Sequence, residues 1–318
     1  MASGVGNYRL GPFVLASEIP IPELPELPVA DDLGLIDAVS IRVGFVPDGI
    51  DNVVANETRW FASREEYLLR VPDVANFLVR HGREVIVEPA PSSVAADIRA
   101  YLLSPIFSTL CHQAGMYSLH ASSVRVGDGV AAFLGHSGAG KSTLAAFLDR
   151  RGYTVVSDDI CLLDPRPAEP APILVVPVAP ALKLWRSAVE QLGAAPETLP
   201  QVFSRDDKYR LPIHRSDSID QPLPLRQLYF LEWAEQDGQP QPDAPAFTPI
   251  EGVHAVSRLM EYTHYDYLMK ATGRQTGNFL LCGRILAHAR AFSLRRPRDF
   301  ARIDAVIEAL EAQLGSGP

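Results

Sequence analysis

Between Phe133 and Phe147 the chain reads FLGHSGAGKSTLAAF, and no other stretch narrows its fold so far. Gly135, Gly140, Lys141 and Ser142 keep the spacing G-x-x-x-x-G-K-[ST], with Gly138 between them, after the apolar run GVAAFL and before helix-forming residues. Glycines let the backbone turn tightly, so that successive N–H groups point inward at the positive end of a helix. A strand, a loop and a helix are therefore expected in that order, with the loop as a phosphate cradle. Its candidate contacts are Gly135, His136, Ser137, Gly138, Ala139, Gly140, Lys141, Ser142 and Thr143. Lys141 would reach the β- and γ-phosphates of ATP, and the Ser142 hydroxyl would ligate Mg2+. The bland alternative, a Gly/Ser-rich turn with a solvated lysine, leaves the flanking strand and helix unexplained.

A second signal follows in YTVVSDDICLL, which reads as one buried strand after the loop's helix. Asp158 and Asp159 would then project toward the phosphate edge, where two carboxylates can divide two tasks. One ligates the metal, and the other accepts a proton from an attacking hydroxyl. A turn or capping pair is the competing reading, since Asp is common at strand ends. His120, in YSLHASSVRV, lies on the strand expected before the loop's own strand, where its imidazole could approach the Asp pair. A satisfied structural histidine is the alternative. The other histidines considered, His112, His136, His254 and His264, have no metal spacing with carboxylates and read as surface or core residues, with His136 at the mouth of the loop.

The remaining chain supplies context. Ile19–Val29, IPIPELPELPV, has too many prolines for a ladder or helix interior and reads as a connector or extended arm. AVSIRVGFV and ANFLVRHGREVIVEP read as strands, the latter a hairpin turning at His81-Gly82. VAADIRAYLLSPIFSTLCHQAG reads as a helix capped by Ser92 or Ser93, kinked at Pro105 and stopped at Gly115. Beyond the loop's helix, which Gly152 ends, PILVVPV and LRQLYFLEWA read as strands and LKLWRSAVEQLG as an amphipathic helix. A Pro/Gln/Asp-rich loop, EQDGQPQPDAP, then leads to a tail of helices around one strand, AFSLRRP, closed by the helix Asp299–Leu314. The expected domains are a β-rich N-terminal domain, residues 1–115, with its Pro-rich arm and closing helix, and an α/β P-loop domain, residues 116–318.

Composition excludes several classes. The net charge of −9 argues against nucleic acid as a partner, which would call for a basic face. Apolar residues at 47% and charged residues at 21% are those of a globular chain. Cys111, Cys161 and Cys282 are far apart, without C-x-x-C spacing, so neither a disulfide framework nor a thiolate metal site is expected. No apolar run reaches membrane-spanning length, and the N-terminus lacks a basic, apolar leader. A cytoplasmic location without a membrane partner is expected, and self-association is left open.

With LHASSV, GHSGAGKST and RGYTVVSDD in this order and spacing, the chain resembles the kinase core of the HPr kinase/phosphorylase family over Tyr117 to Leu163. The resemblance implies a P-loop kinase core of that type. Asp158 would be the general base for a substrate serine, His120 would hydrogen-bond and tune that base, and Asp159 would help hold Mg2+. Two departures are Thr143, where the family continues with Glu, and a C-terminal helix DFARIDAVIEALEAQL unlike the family's. The N-terminal third is more similar to HPr-kinase-like proteins associated with ribosomally made peptides, including lasso-peptide precursor kinases. That likeness implies a serine-containing peptide or small protein as acceptor.

A kinase also needs positive charge opposite the loop. Lys208 is the first candidate, in SRDDKYRLP with Arg205 and Arg210; Lys183 and Arg186 in LKLWR are alternatives. The arginines of LRRPR, Leu294–Arg298, read as a solvated strand end, or else as contacts for an acidic partner. No LSGGQ-like signature or distant hydrophobic Walker B strand of an ATP-driven motor is found. Two other functions stay open: a small-molecule hydroxyl kinase, which would usually begin at the P-loop, and a nucleotide-switched binding module without transfer.

Overall fold

The computed structural model describes residues 5–27, 37–166, 170–178, 181–213, 221–234, 244–271 and 273–315. Most of EQDGQPQPDAP and the last two residues of the proline arm, Pro28 and Val29, lie outside them. The chain forms two compact units, and the division is not a single cut. The first contains residues 1–118, 202–206 and 265–277, and the second contains 119–201, 207–264 and 278–318.

In the first unit the strands are β1 (Gly6–Leu10), β2 (Phe13–Ser17), β3 (Asp37–Val43), β4 (Ala55–Glu57), β5 (Trp60–Ala62), β6 (Glu66–Val71), β7 (Ala75–Arg80) and β8 (Glu84–Pro89). They form an eight-stranded sheet in the order β1-β2-β3-β8-β7-β6-β5-β4. β3 alternates as a half-buried strand must: Val39 and Ile41 are buried while Ser40 and Arg42 are exposed. The β7–β8 hairpin turns at His81-Gly82 as expected. Both residues have positive φ, 52° and 66°, and Arg83 N–H closes the turn on the Arg80 carbonyl at 3.0 Å. The proline arm runs beside β1, with Leu27 N–H on the Asn7 carbonyl at 2.8 Å and Ile21 buried. A proline-rich partner along an edge strand leaves few free donors for another chain.

The expected helix after Ser93 is α1 (Ala95–Tyr101), a π-helical segment Leu102–Ile106, and α2 (Phe107–Gln113). Pro105 sits in the π segment, where the missing N–H is absorbed by the wider turn, and Gly115 follows at φ 81°. The serine caps are corrected: Val94 holds the N-cap position with no side-chain bond. Two short returns of the chain complete this unit. Ser204 donates to buried Asp97 through both N–H and hydroxyl, at 2.6 and 2.7 Å, and Tyr267 stacks on Trp60 at 4.5 Å.

The chain passes into the second unit within β9 (Tyr117–Leu119). There follow β10 (Ala121–Val126), β11 (Gly129–Leu134), α3 (Lys141–Arg150), β12 (Val155–Ser157), β13 (Cys161–Asp164), β14 (Leu174–Val176), β15 (Ala181–Trp185) and α4 (Arg186–Gln191). The remaining elements are β16 (Lys208–Pro212), β17 (Leu223–Trp233), β18 (Ala246–Pro249), α5 (Gly252–Glu261), α6 (Asp266–Ala271), α7 (Gln275–His288), β19 (Arg290–Arg296) and α8 (Ile303–Gly315). α6 belongs to the first unit and α7 straddles the division. The central sheet runs β12-β10-β11-β17, with β19 parallel to β17 and β18 outside it. Every residue of β11 is buried, as expected of an apolar run between two neighbours with both faces covered. α3, α4 and α8 pack their apolar faces into one core with Phe133, Tyr229 and Phe292.

Three expected elements are corrected here. LKLW belongs to β15, which pairs antiparallel with β16, so only Arg186–Gln191 is helical. Leu182 and Leu184 are buried while Lys183 and Trp185 are not, a period of two that strand pairing uses. YSLHASSVRV breaks at His120, whose N–H goes to the Tyr262 carbonyl at 2.8 Å. YTVVSDDICLL breaks at Asp158–Ile160. Ile160 N–H returns to the Asp158 carbonyl at 2.8 Å with Asp159 at φ 69°, the strained form of γ-turn. Cys111, Cys161 and Cys282 are free and buried. No helix among the described residues is long and apolar enough to cross a membrane.

Candidate active site

β11 delivers the chain to Gly135, and the loop closes on itself through Ala139 N–H to the His136 carbonyl at 3.0 Å. Gly138 and Gly140 hold φ of 80° and 82°, a region costly to any residue with a Cβ. The first helical bond of α3, Leu144 N–H to the Gly140 carbonyl, is 3.0 Å. Lys141 Nζ donates to the Gly135 carbonyl at 2.8 Å and to that of His136 at 3.3 Å, at the centre of the loop. Burial pulls this ammonium down to about 8, against the opposing pull of Asp159 and Asp158.

A cavity of about 350 Å³ opens over the loop, lined by Ser137, Gly138, Gly140, Lys141, Ser142 and Thr143 together with His120, Asp159, Lys183 and Lys208. Gly135, His136 and Ala139 are not on its wall: Gly135 and Ala139 are buried, and His136 is exposed with its ring 5.4 Å from that of Tyr262. The wall also carries Arg296 and Arg298, so that five cations face two carboxylates, Asp159 and Asp299. In a chain of net charge −9 this is a locally positive cavity, suited to an anion.

The two aspartates are separated by the turn between them. Asp158 is held from both sides, with Ser122 Oγ donating to Oδ1 at 2.6 Å and Lys183 N–H donating to Oδ2 at 2.7 Å. It does not line the cavity. Asp159 does, with Lys183 Nζ on Oδ2 at 2.7 Å and His120 Nε2 3.7 Å from Oδ1. Burial works to raise the Asp159 carboxyl, but Lys183, His264 and His120 outweigh it and hold the group well below the usual carboxylate range. The histidine therefore approaches Asp159 rather than Asp158, a correction to the arrangement expected from the sequence. It is reinforced by His264, whose ring lies 5.2 Å from that of His120.

Ser122 was not singled out in the sequence, although two adjacent serines in an apolar strand were a signal. Ser123 faces Ser157 across the β10–β12 pair, hydroxyl to hydroxyl at 2.6 Å, which leaves Ser122 beside Asp158. Lys208 lines the cavity with its ammonium 5.8 Å from the centre of the Trp185 ring, while Lys183 is the basic residue bound to the Asp pair. LRRPR is not a solvated strand end: Arg296 is 4% exposed.

His120 gives the site an acid limb. Burial, then Lys141, lowers its imidazole from the usual 6.5 to about 4. Between those values the unfolded chain binds more protons than the folded one. Stability is therefore expected to rise with pH through this window and to be lost as pH falls through it. The side chain is 35% exposed, so solvent softens the slope. Chemical denaturation at pH 4 to 6.5 should show a shallower dependence for His120→Asn than for wild type, and equal slopes would remove His120 as the source.

No family model matches the chain, and no curated protein matches it. Among solved structures it matches the Hpr(Ser) kinase/phosphatase from Coxiella burnetii at 11% identity, over 62% of this chain and 92% of that one, with a TM-score of 0.28. Agreement this low carries neither that protein's fold nor its activity over to this chain.

Proposed function

We propose that the protein is a phosphotransferase of the kinase type, moving the terminal phosphoryl group of Mg-ATP to the serine hydroxyl of a peptide or small protein. The observation that supports this most is the placement of one ionised carboxylate, Asp159, and two lysines, Lys141 and Lys183, on the wall of a positive cavity over the glycine loop. A cradle alone binds phosphate. A carboxylate beside it gives an incoming hydroxyl somewhere to send its proton.

In this reading Lys141 and the N–H groups at the start of α3 hold the phosphates. Asp159 takes the base role that the sequence assigns to Asp158, orienting the acceptor hydroxyl and accepting its proton. Its low proton affinity suits a largely dissociative transfer, in which the proton leaves late. Asp158 anchors the turn that presents Asp159. His120 borders Asp159 at Oδ1 while Lys183 holds Oδ2, and Lys208 faces the transferring group. The lining can take a magnesium ion, because the Ser142 hydroxyl offers it an oxygen beside the loop and magnesium takes its other ligands from phosphate and water. Ser142 would hold that ion, which supplies charge neutralisation on the phosphates, and Asp159 is left to the acceptor. The acceptor class rests on the likeness of the N-terminal third to precursor-peptide kinases.

The test is intact and tandem mass spectrometry after incubation with Mg-ATP and a panel of serine-containing peptides, small proteins and free serine. Phosphate mapped to a peptide serine is the expected result. Phosphate on free serine alone would replace the peptide acceptor by a small molecule, and bound nucleotide with no transfer to any acceptor would overturn the kinase reading.

A further inference from the structure

Arg296 ends β19 inside the second unit's cavity wall, and its charge is not balanced there. The side chain is 4% exposed, its Nε is buried without a hydrogen-bond partner, and it makes no ion pair among the described residues. Nη2 donates to the carbonyl of Ala139 in the glycine loop, and the guanidinium lies 4.0 Å from the centre of the Trp233 ring. The loop is shaped around it: a Cβ on Gly140 would meet Nη2 at 2.6 Å. Burial lowers the group to about 9, so it remains a cation near neutral pH.

A neutral donor would serve the Ala139 carbonyl as well, and an apolar side chain of similar volume would be cheaper to bury than an uncompensated charge. An unbalanced cation kept on the wall of a cavity is balanced when an anion enters it. We propose that Arg296 is an anion-binding residue that completes the cradle, its guanidinium taking an oxygen of the donor's polyphosphate chain beside Lys141 and Ser142. The assignment rests on the phosphotransferase reading and adds to it a further phosphate ligand, supplied by β19. Trp233 backs this guanidinium and reports on it, because a cation drawn toward phosphate moves relative to the indole.

The experiment compares wild type and Arg296→Met by thermal denaturation, titrating magnesium with ATP and, separately, magnesium with inorganic tripolyphosphate. The variant alone is expected to melt no lower than wild type, and to bind both ligands at least about tenfold more weakly, as for loss of one charge-assisted bond. Equal weakening identifies the phosphates as the target; loss for ATP but not for tripolyphosphate would assign Arg296 to the nucleoside and overturn the proposal. Unchanged binding of both overturns it as well. Should the variant fail to fold, Trp233 emission decides, taken as the difference between wild type and Trp233→Phe. A change on adding tripolyphosphate supports the assignment, and none at saturation sinks it. A wild-type protein that binds neither ligand would remove the phosphotransferase reading itself, an outcome distinct from a wild type that binds both beside a variant that does the same.

Discussion

The Asp159→Asn variant is expected to keep its affinity for Mg-ATP and to lose phosphoryl transfer by about 10²- to 10⁴-fold in kcat, the range for removing a positioned acid or base. Asp158→Asn should behave differently. Both Asp158 oxygens accept hydrogen bonds, from Ser122 and from Lys183 N–H, and an amide can present only one acceptor oxygen to them. That variant is expected to lose about 1–3 kcal/mol of unfolding free energy, with transfer falling less than in Asp159→Asn. Single-turnover transfer rates and denaturant midpoints for the two variants separate the roles. If Asp158→Asn has the greater loss of transfer with its stability intact, the base is Asp158.

The second large effect is expected at Gly140. Gly138→Ala and Gly140→Ala each place a Cβ at positive φ, 80° and 82°, which costs about 1–2 kcal/mol apiece. Around Gly138 there is nothing within 4 Å of the new carbon, whereas at Gly140 it would lie 2.6 Å from Arg296 Nη2 and 3.6 Å from the Trp233 ring. Arg296 cannot swing aside freely, since it is buried and bonded to the Ala139 carbonyl. Gly140→Ala is therefore expected to lose that bond too, for a total of about 2–4 kcal/mol, and to bind Mg-ATP poorly. Calorimetric unfolding of both variants checks the difference. Equal destabilisation would mean that only backbone strain is at work and that Arg296 yields without cost.

These expectations divide according to where their information lies. The loop was legible because its chemistry is local: glycines at fixed spacing, a lysine and a serine at the start of a helix, and an apolar run before them are contiguous along the chain. The β7–β8 hairpin and the stop at Gly115 were legible for the same reason, since a positive φ is demanded by adjacent residues. The Asp pair was found, but its internal arrangement was not. A strand reading projects neighbouring side chains to opposite faces of a sheet, and the γ-turn at Asp159 replaces that geometry with one that only Ser122, Lys183 and His120 together decide. LKLWRSAVEQLG shows the limit in another form, because its leucines satisfy both a period of two and part of a helical stripe, and β16 settles the choice.

By itself, then, the sequence determined a tight glycine loop between a strand and a helix, its lysine and hydroxyl, and the presence of a carboxylate pair after it. Only the tertiary structure decided which carboxylate faces the cavity and that Arg296 is buried against the loop. Those depend on pairs far apart in the chain, such as Ala139 with Arg296, where desolvation and non-local hydrogen bonds outweigh the local preference of an arginine for water.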